Sequence, residues 1–245
     1  MRVEKANDAI LADARYVARM QIGILGTGVV AKTIAGKLGA LGHSVKLGTR
    51  DPAATLARAE GDPFGGPPMR AWLESHPNAS IGTFREAAAH AAIAFDALSG
   101  QGALAALAST GSELDGKILV DISNPLDFSK GMPPTLTVSN TNSLGEETQR
   151  ALPRAKVVKT LNTVNASVMV DPGSVAGGDH TMFVAGNDAV AKAEVTKILE
   201  EWLGWKDVID LGDITMARGM EMYLPLWVRL YGALGTPAFN LKIVR

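Results

Sequence analysis

The chain has 245 residues, of which 47% are hydrophobic and 20% are charged, and its formal net charge is −1. These values are typical of a globular protein with one large domain, or one domain and a small appendage. The near-neutral charge argues against a nucleic-acid or membrane surface, and no stretch reaches the roughly 20 apolar residues that span a bilayer. There is no cysteine, and the four histidines lack ligand spacing, so disulfides and thiolates are excluded and no metal site is predicted.

Residues 1–19 precede the first predicted strand. Charged residues interrupt any apolar core in this segment, so it lacks the pattern of a signal peptide. Two interpretations stay open. The segment is either a helical arm that packs on the body or on a partner subunit, or an extension upstream of a natural start at Met20.

From residue 20 onward, short apolar strands alternate with helical segments. Asp51 followed by Pro52 predicts a helix N-cap with proline at the first helical position. A late helix, at 215–234, is expected to bend or stop at Pro225. The predicted strands are 21–25, 44–48, 81–84, 92–98, 118–122, 156–161, 181–185 and 208–211, and the other predicted helices are 29–41, 52–59, 71–75, 85–91, 103–109, 144–151 and 188–203.

This alternation determines the predicted fold. Helical crossovers between successive strands force parallel pairing with right-handed connections. We therefore expect an α/β fold with a doubly wound, mostly parallel sheet of the Rossmann type over residues 20–212. Residues 213–245 are expected to form a small C-terminal helical extension that contributes to an acceptor pocket, to a dimer contact or to both.

The sequence GTGVVA at 26–31 is a G-x-G-x-x-A motif between the first strand and the first helix. Its first glycine permits a tight turn, its second lets the backbone approach a pyrophosphate, and the small last residue permits close helix–strand packing. Free N–H groups and the helix dipole then favour the phosphates. The motif predicts dinucleotide binding by a loop made of Gly26, Thr27, Gly28, Val29 and Val30.

The end of the second strand indicates which dinucleotide binds. An NAD site usually has an acid about 20 residues after the glycines, where it binds the ribose hydroxyls. Thr49 and Arg50 occupy that place here, and they suit a 2′-phosphate. Asp51 is either a displaced ribose ligand or the helix cap, and the proline after it favours the cap. NADP(H) is therefore the predicted cofactor.

Three further strand ends face the same edge of the sheet, where open α/β sheets bind ligands. The fourth strand is expected to pass beneath the ribose or pyrophosphate. The fifth and sixth strands are expected to end near the nicotinamide, although each polar side chain there is also an ordinary turn residue. The candidates are Leu98, Ser99, Gly100, Asn124, Pro125 and Asn162.

No side chain is identified as a catalytic acid. None of the three tyrosines has the Tyr-x-x-x-Lys spacing of short-chain dehydrogenases, and no glycine-rich run with a lysine resembles that of β-hydroxyacid dehydrogenases. Reducing a ketone usually requires a proton donor. Reducing a flavin-like ring does not, because backbone N–H groups can stabilise the spread charge and the enzyme needs only to stack two rings closely.

Several segments together resemble one family, the NADP oxidoreductases dependent on coenzyme F420. They are the glycine-loop region at 20–52, LVDISNPLD at 119–127, KVVKTLNTVNASVMVDP at 156–172 and MFVAGND at 182–188. The resemblance implies a Rossmann-type domain with a small C-terminal extension, often dimeric, that moves a hydride between NADP(H) and a deazaflavin. The nucleotide-binding part of STEAP-type ferric reductases has similar motifs.

The resemblance also implies roles for single residues. Thr27, Thr49 and Arg50 match positions that bind the 2′-phosphate, and the loop from Gly28 matches the pyrophosphate site. Ala53 and Ala54 stand where the family often carries a further basic residue, so the resemblance does not supply that phosphate contact here. The basic residues available for the polyglutamate tail of F420 are Arg218, Arg229 and Lys242, although a charged helix face looks the same.

These observations give three hypotheses. The first is an NADPH:F420 oxidoreductase that works without a side-chain acid, acts on a small-molecule hydride acceptor, is cytoplasmic and forms a homodimer. The second is an NADPH-dependent reductase of another acceptor, such as a flavin, quinone, imine or ferric chelate. The third is a non-catalytic redox sensor that binds NADP(H). An enzyme requires a ring-sized cavity beside the nicotinamide, whereas a sensor requires a closed nicotinamide site and an exposed apolar patch.

Overall fold

The structure is a computed structural model that describes residues 19–61 and 66–245. The two interpretations of the N-terminal segment concern residues that lie almost wholly outside the described ones. The described strands are β1 (Gln21–Leu25), β2 (Ser44–Thr49), β3 (Ala79–Thr83), β4 (Ile93–Asp96), β5 (Ile118–Asp121), β6 (Leu126–Asp127), β7 (Thr135–Leu136), β8 (Lys156–Thr160), β9 (Thr181–Gly186) and β10 (Asp207–Asp210).

Helices connect most of these strands, as the alternating pattern predicts. Asp51 caps α2, and its carboxylate accepts a hydrogen bond from the Ala54 N–H at 2.9 Å. The described helices are α1 (Val29–Ala40), α2 (Pro52–Ala57), α3 (Met69–Glu74), α4 (Phe84–His90), α5 (Gly100–Ala108), α6 (Leu144–Ala151), α7 (Ala166–Val170), α8 (Ala189–Lys197), α9 (Ala217–Met222) and α10 (Leu224–Leu234).

Eight strands form one sheet in the order β3-β2-β1-β4-β5-β8-β9-β10. The first six pair in parallel, so the predicted mostly parallel Rossmann-type sheet is confirmed. The chain passes from β1 outward to β3 and then returns to place β4 on the other side of β1. This reversal of strand order opens a crevice at the carboxyl ends of β1 and β4, where ligands bind in such sheets.

Buried apolar side chains cover both faces of the sheet, because successive residues of a strand point to opposite faces. Ile22, Ile24 and Phe95 belong to one core cluster. Leu25 and Leu119 belong to a second cluster on the other face, together with alanines of α4. Because both faces of the sheet are covered, only the ends of the strands are open to a ligand.

The last two strands depart from the prediction. β9 pairs antiparallel with β8, and β10 then pairs parallel with β9. The connection after β8 contains α7, which has five residues and therefore rises only about 7.5 Å. That is less than half the roughly 16 Å length of a five-residue strand. Two 3₁₀ turns, Pro172–Ser174 and Ala176–Gly178, follow α7, and the chain re-enters the sheet from the edge at which β8 ended.

Two predicted helices are interrupted. The helix predicted at 188–203 is α8 followed by a π-helical segment, Ile198–Leu203, which ends at Gly204 with φ of +89°. The wider turn directs apolar side chains such as Leu199 and Trp202 into the core. The helix predicted at 215–234 is a 3₁₀ turn, α9 and α10, with Pro225 in the first turn of α10. The break near Pro225 is therefore confirmed.

The C-terminal segment packs against the sheet domain rather than standing apart from it. Ile214 and Ala217 belong to the second core cluster, and the Thr181 N–H at the start of β9 donates to the Leu241 carbonyl at 2.9 Å. A division of the chain at residues 212–213 stays a prediction. No helix in the described part of the chain has the length and apolar character to span a bilayer.

Candidate functional site

The two glycines of the nucleotide-loop motif have different structural roles. Gly26 has a φ of +125°, and a Cβ there would lie 2.7 Å from the Ala97 carbonyl oxygen. Gly28 is the N-cap of α1 with a φ of −76°, and a Cβ there would meet nothing within 4 Å. Gly26 is thus required by the fold, whereas the missing side chain of Gly28 leaves open space beside the N–H groups of α1. Ala31 is fully buried, as the motif predicts.

A cavity of about 230 Å³ lies at the tips of β2 and β3. Thr49 and Arg50 line it, together with Arg85 of α4 and the small residues of α5. The Arg50 side chain is exposed, and it forms no hydrogen bond or ion pair within residues 19–61 and 66–245. Arg85 donates to Glu113 at 3.2 Å and remains mostly exposed. The cavity therefore presents at least one uncommitted guanidinium.

The other polar groups at the tip of β2 are engaged. The Thr49 hydroxyl lies 3.0 Å from the Thr55 hydroxyl, which itself donates to the Asp51 carbonyl at 2.8 Å. Because Thr55 uses its proton on that carbonyl, Thr49 is the donor to Thr55. The Asp51 carboxylate caps α2. Arg50 is consequently the donor at this strand end that is available to a ligand.

Thr27 lines a different cavity from Arg50. This second cavity, of about 220 Å³, lies between the glycine loop, α2 and the start of α3. Its walls include Gly28, Lys32, Thr55 and Arg58, and Lys32 donates to the Pro67 carbonyl at 3.1 Å. The Thr49–Thr55 hydrogen bond joins the walls of the two cavities. Of the residues predicted to bind the 2′-phosphate, Thr27 therefore lies on one side of that bond and Arg50 on the other.

A third cavity, of about 180 Å³, lies at the ends of β4 and β5. Five of the predicted residues line it, namely Val30, Leu98, Ser99, Gly100 and Asn124. A Cβ on Gly100 would lie 2.2 Å from the Asn124 carbonyl oxygen, so the absence of a side chain lets the two loops touch. No ionisable side chain of the described residues lines this cavity.

The other predicted residues do not line the third cavity. Val29 begins α1 and is half-buried, and Pro125 is buried, with its carbonyl accepting from the Thr137 N–H at 2.8 Å. Asn162 is only 2% exposed and lies behind Asn124. Phe128, 54% exposed and on the wall of the third cavity, was not predicted. An aromatic residue in the polar turn after Pro125 was the available signal.

Asn124 and Asn162 form a reciprocal amide pair. The Asn124 Nδ2 donates to the Asn162 carbonyl at 2.9 Å, and the Asn162 Nδ2 donates to the Asn124 Oδ1 at 3.0 Å. The Asn162 Nδ2 also lies 3.3 Å from the Met220 carbonyl of α9. Asn162 therefore fixes the orientation of Asn124 from behind the cavity wall.

A cluster of buried charges beneath the third cavity was missed in the sequence. The Lys159 ammonium lies 3.1 Å from the Asp121 Oδ2 and 2.9 Å from the Glu221 Oε1, and all three side chains are almost completely buried. Glu221 also accepts the N–H groups of Leu144 and Gly145 at the start of α6, at 2.8 and 3.0 Å. The signal was a lysine inside the apolar strand at 156–161.

Asp96 ends β4 directly beside Asp121 in the sheet register. Its Oδ1 accepts from the Leu98 N–H at 3.0 Å, while its Oδ2 has no hydrogen-bond partner in the described residues. Burial, and then the charge of Asp121, raise the pKa of Asp96 to about 7. Burial alone would lower the pKa of Lys159, but the carboxylates of Asp121 and Glu221 raise it.

The basic residues considered for an acidic ligand tail are mostly engaged. Arg218 forms two hydrogen bonds to Glu146, at 2.9 and 2.6 Å, and these lower the pKa of that carboxyl. Lys242 pairs with Asp179. Arg229 donates to the Pro225 carbonyl of its own helix at 2.8 Å. Two of the three are thus paired with acids.

The histidines that the structure describes have structural surroundings. His180 lies between the Pro172 carbonyl at 2.9 Å and the Asn240 side chain at 2.9 Å. The buried His43 ring lies 4.3 Å from the Trp202 ring. No group of three potential metal-ligating side chains occurs in the part of the chain that the structure describes.

Comparison with known proteins gives a consistent set of relatives. Residues 21–125 match the family model described as NADP oxidoreductase coenzyme F420-dependent. A crystal structure of a "putative f420 dependent nadp-reductase" from Arthrobacter sp. FB24 is 60% identical, with a TM-score of 0.87. The match covers 92% of this chain and 100% of that one.

Two curated proteins are more distant relatives. The F420-dependent NADP reductase of Methanocaldococcus jannaschii is 34% identical over 119 residues, which is 48% of this chain and 52% of the relative. The metalloreductase STEAP3 of Rattus norvegicus is 26% identical over 211 residues, which is 84% of this chain and 38% of the relative. The chain thus spans about half or less of the length of these curated relatives.

The two loop glycines give a matched pair of substitutions. Gly26→Ala is expected to lower the free energy of unfolding by about 1–3 kcal/mol, because alanine rarely adopts that φ and its Cβ would clash with Ala97. Gly28→Ala is expected to leave that free energy within about 1 kcal/mol but to weaken dinucleotide binding. Urea unfolding and equilibrium binding check both outcomes. Equal destabilisation by the two substitutions would contradict the assignment.

Asp96→Asn is expected to change the pH dependence of stability. Because the folded-state pKa of about 7 exceeds the ordinary 3.8, the native protein holds a proton that the unfolded chain releases, so this carboxyl makes stability fall as pH rises from about 4 to about 7. Asparagine removes that fall. Urea unfolding across this pH range should show that the free energy of unfolding of the variant increases relative to that of the parent as pH rises. Asp171→Asn, at an exposed position, is the control, and parallel curves for D96N and the parent would refute the expectation.

Proposed function

The chain belongs to the family of NADP oxidoreductases dependent on coenzyme F420, and on this premise we propose that it transfers a hydride between NADP(H) and a deazaflavin such as F420. One observation carries the choice of nucleotide. The Arg50 guanidinium stands exposed and unpaired within the described residues, at the tip of β2, beside a cavity of about 230 Å³. A 2′-phosphate placed there would meet a planar set of N–H donors.

The arrangement of the loops supports a site for the whole dinucleotide. The pyrophosphate would lie at the start of α1, where Gly28 leaves room and the helix dipole favours negative charge. The adenosine half would take the cavity lined by Thr49 and Arg50. The nicotinamide half would reach the cavity lined by Ser99 and Asn124. These assignments are the proposal's site residues.

Electrostatics at the strand tip favour the phosphorylated nucleotide. The Asp51 carboxylate, the acid nearest in sequence, is held by the Ala54 N–H at 2.9 Å as the cap of α2. It is therefore directed to its own helix and not to a ribose hydroxyl. An unpaired cation in place of an unpaired acid reverses the usual preference of this position.

The third cavity supports a mechanism without an acid–base side chain. When bound there, the nicotinamide supplies or accepts the hydride. The polar side chains on the wall belong to Ser99, Ser123 and Asn124, and the rest of the wall is backbone or apolar. Such a wall can orient rings and exclude water but cannot deliver a proton from an ionisable group. It suits a ring acceptor, for which proximity and orientation supply the catalysis.

The proposal extends to assembly and location. Exposed apolar side chains occur along α10, among them Leu226, Tyr231 and Leu234, and a homodimer contact is the use that we propose for them. A cytoplasmic location is part of the proposal. The small-molecule acceptor is F420.

Arg50→Ala tests the nucleotide preference. We expect NADPH binding to weaken by about 1–3 kcal/mol, as for the loss of a hydrogen bond to a charged group, while NADH binding hardly changes. Calorimetric titration of both nucleotides measures the difference. Arg154→Ala removes the same charge from a residue paired with Asp115, outside all the loops named above, and serves as the control. Equal weakening of NADPH and NADH by R50A would reject the assignment.

The acceptor is tested directly by turnover. Purified protein is mixed with NADPH and, separately, with F420, FMN and ferric chelates, and NADPH oxidation is followed. We expect oxidation with F420. Turnover only with FMN or a ferric chelate would move the protein to the second hypothesis. Tight NADPH binding with no turnover on any acceptor would favour the redox sensor.

A further inference from the structure

The turn at residues 123–124 forms part of the wall of the third cavity. All three polar groups of Ser123 and both side-chain polar atoms of Asn124 form hydrogen bonds. The Ser123 N–H and hydroxyl both donate to the Asp121 Oδ1, at 2.9 and 2.6 Å. The Ser123 carbonyl accepts from the Lys159 ammonium at 2.6 Å. The turn is therefore tied to the side chains of two neighbouring strands.

Lys159 has no donor left over. An ammonium group has three N–H donors, and Lys159 has three acceptors: the Ser123 carbonyl, the Asp121 carboxylate and the Glu221 carboxylate. Its side chain is 0% exposed. Since Glu221 belongs to α9, the ammonium joins the cavity wall to the C-terminal helices through one saturated set of bonds.

Asn162 makes a second, adjacent link through its Nδ2 and its carbonyl, while its Oδ1 has no hydrogen-bond partner in the described residues. It exchanges two hydrogen bonds with Asn124 and donates a third to the Met220 carbonyl of α9. Met220 and Glu221 are consecutive in the chain, as are Ser123 and Asn124. Two side chains near the end of β8 thus connect two consecutive residues of α9 to the two residues of the turn.

Stability alone is a weak reason for such an arrangement. Taking an ammonium and two carboxylates out of water is costly, and apolar residues of similar volume often serve a core equally well. The charges instead fix positions, since each acceptor must stay within hydrogen-bond distance of the ammonium group. A reaction that uses no acid or base depends most on that kind of placement.

We propose that Lys159 and Asn162 are positioning residues that set the 123–124 turn relative to α9, and thereby place the nicotinamide half of NADP(H) against its hydride acceptor. Neither residue touches a ligand in this role, since both lie behind the wall. The inference rests on the proposed function for the identity of the nucleotide, and it deepens that function by assigning the element that orients the reactive ring.

The test compares two nucleotides that share the adenosine half. Wild type, Lys159→Met and Asn162→Ala are titrated with NADPH and with 2′,5′-ADP, which lacks the nicotinamide. We expect both variants to bind NADPH about tenfold more weakly, as for one lost hydrogen bond, with 2′,5′-ADP binding unchanged. With an acceptor present, the kcat of both variants should fall by up to about 100-fold. The inhibition constant of 2′,5′-ADP should be the same as for wild type.

The controls separate positioning from general damage. Lys192→Met removes a lysine held in a similar way, by Asp210 and the Gly212 carbonyl at 2.8 Å each, outside the cavity wall, and should leave both affinities unchanged. Asn162→Ala leaves no unpaired buried charge. If K159M does not fold, the same affinity and kcat measurements on N162A test the proposal. Circular dichroism identifies the folded variants.

The outcomes are distinguishable from those of the proposed function. Wild type that fails to bind 2′,5′-ADP would refute the nucleotide assignment before any variant is made. Wild type that binds both nucleotides but does not reduce F420 would refute the acceptor, while the affinity comparison still decides the positioning role. Equal weakening of both nucleotides, or no change in either affinity and in kcat, would overturn the inference.

Discussion

An ammonium group sealed at the carboxyl edge of the sheet is the constraint on which the crevice depends. Lys159 is buried among Asp121, Glu221 and the Ser123 carbonyl, and a lysine in this environment is tolerated only when every donor is used. Satisfying it fixes the end of β5, the start of α6 and the position of α9 together. The wall of the third cavity has a defined position because the Lys159 ammonium must be enclosed by its three acceptors.

Local rules made the nucleotide half of the site predictable. Gly26 was predictable because only glycine suits its backbone conformation in a strand-to-helix turn, and Asp51 because a proline follows it at the first helical position. Arg50 followed from the absence of an acid at the same strand end. The first two inferences needed only neighbouring residues, whereas the one for Arg50 also used its distance of about 20 residues from the glycines. The periodicity of the sequence predicted the parallel strands.

The parts that could not be predicted depend on residues far apart in the chain. Lys159 and Glu221 are brought together only by packing of α9, and nothing in a strand pattern says that a lysine will be enclosed. The antiparallel pairing of β9 follows a connection made of α7 and two 3₁₀ turns, none of which was recognised in the sequence. Thr27 and Thr49 share a 2′-phosphate role that only the family resemblance implies; they line neighbouring cavities, and the role stays a prediction. Asn162 was predicted as a ligand contact but lies behind Asn124.

The capping bond of Asp51 also limits how this chain could change its cofactor during evolution. The Asp51 carboxylate, beside the proposed ribose site, already serves the first turn of α2, so turning it toward a ribose would leave the start of that helix without its cap. A lineage moving toward the unphosphorylated nucleotide would more easily acquire a new acid at position 49 or 50 than recruit the one it has. Helix capping here acts as a barrier between two coenzyme specificities.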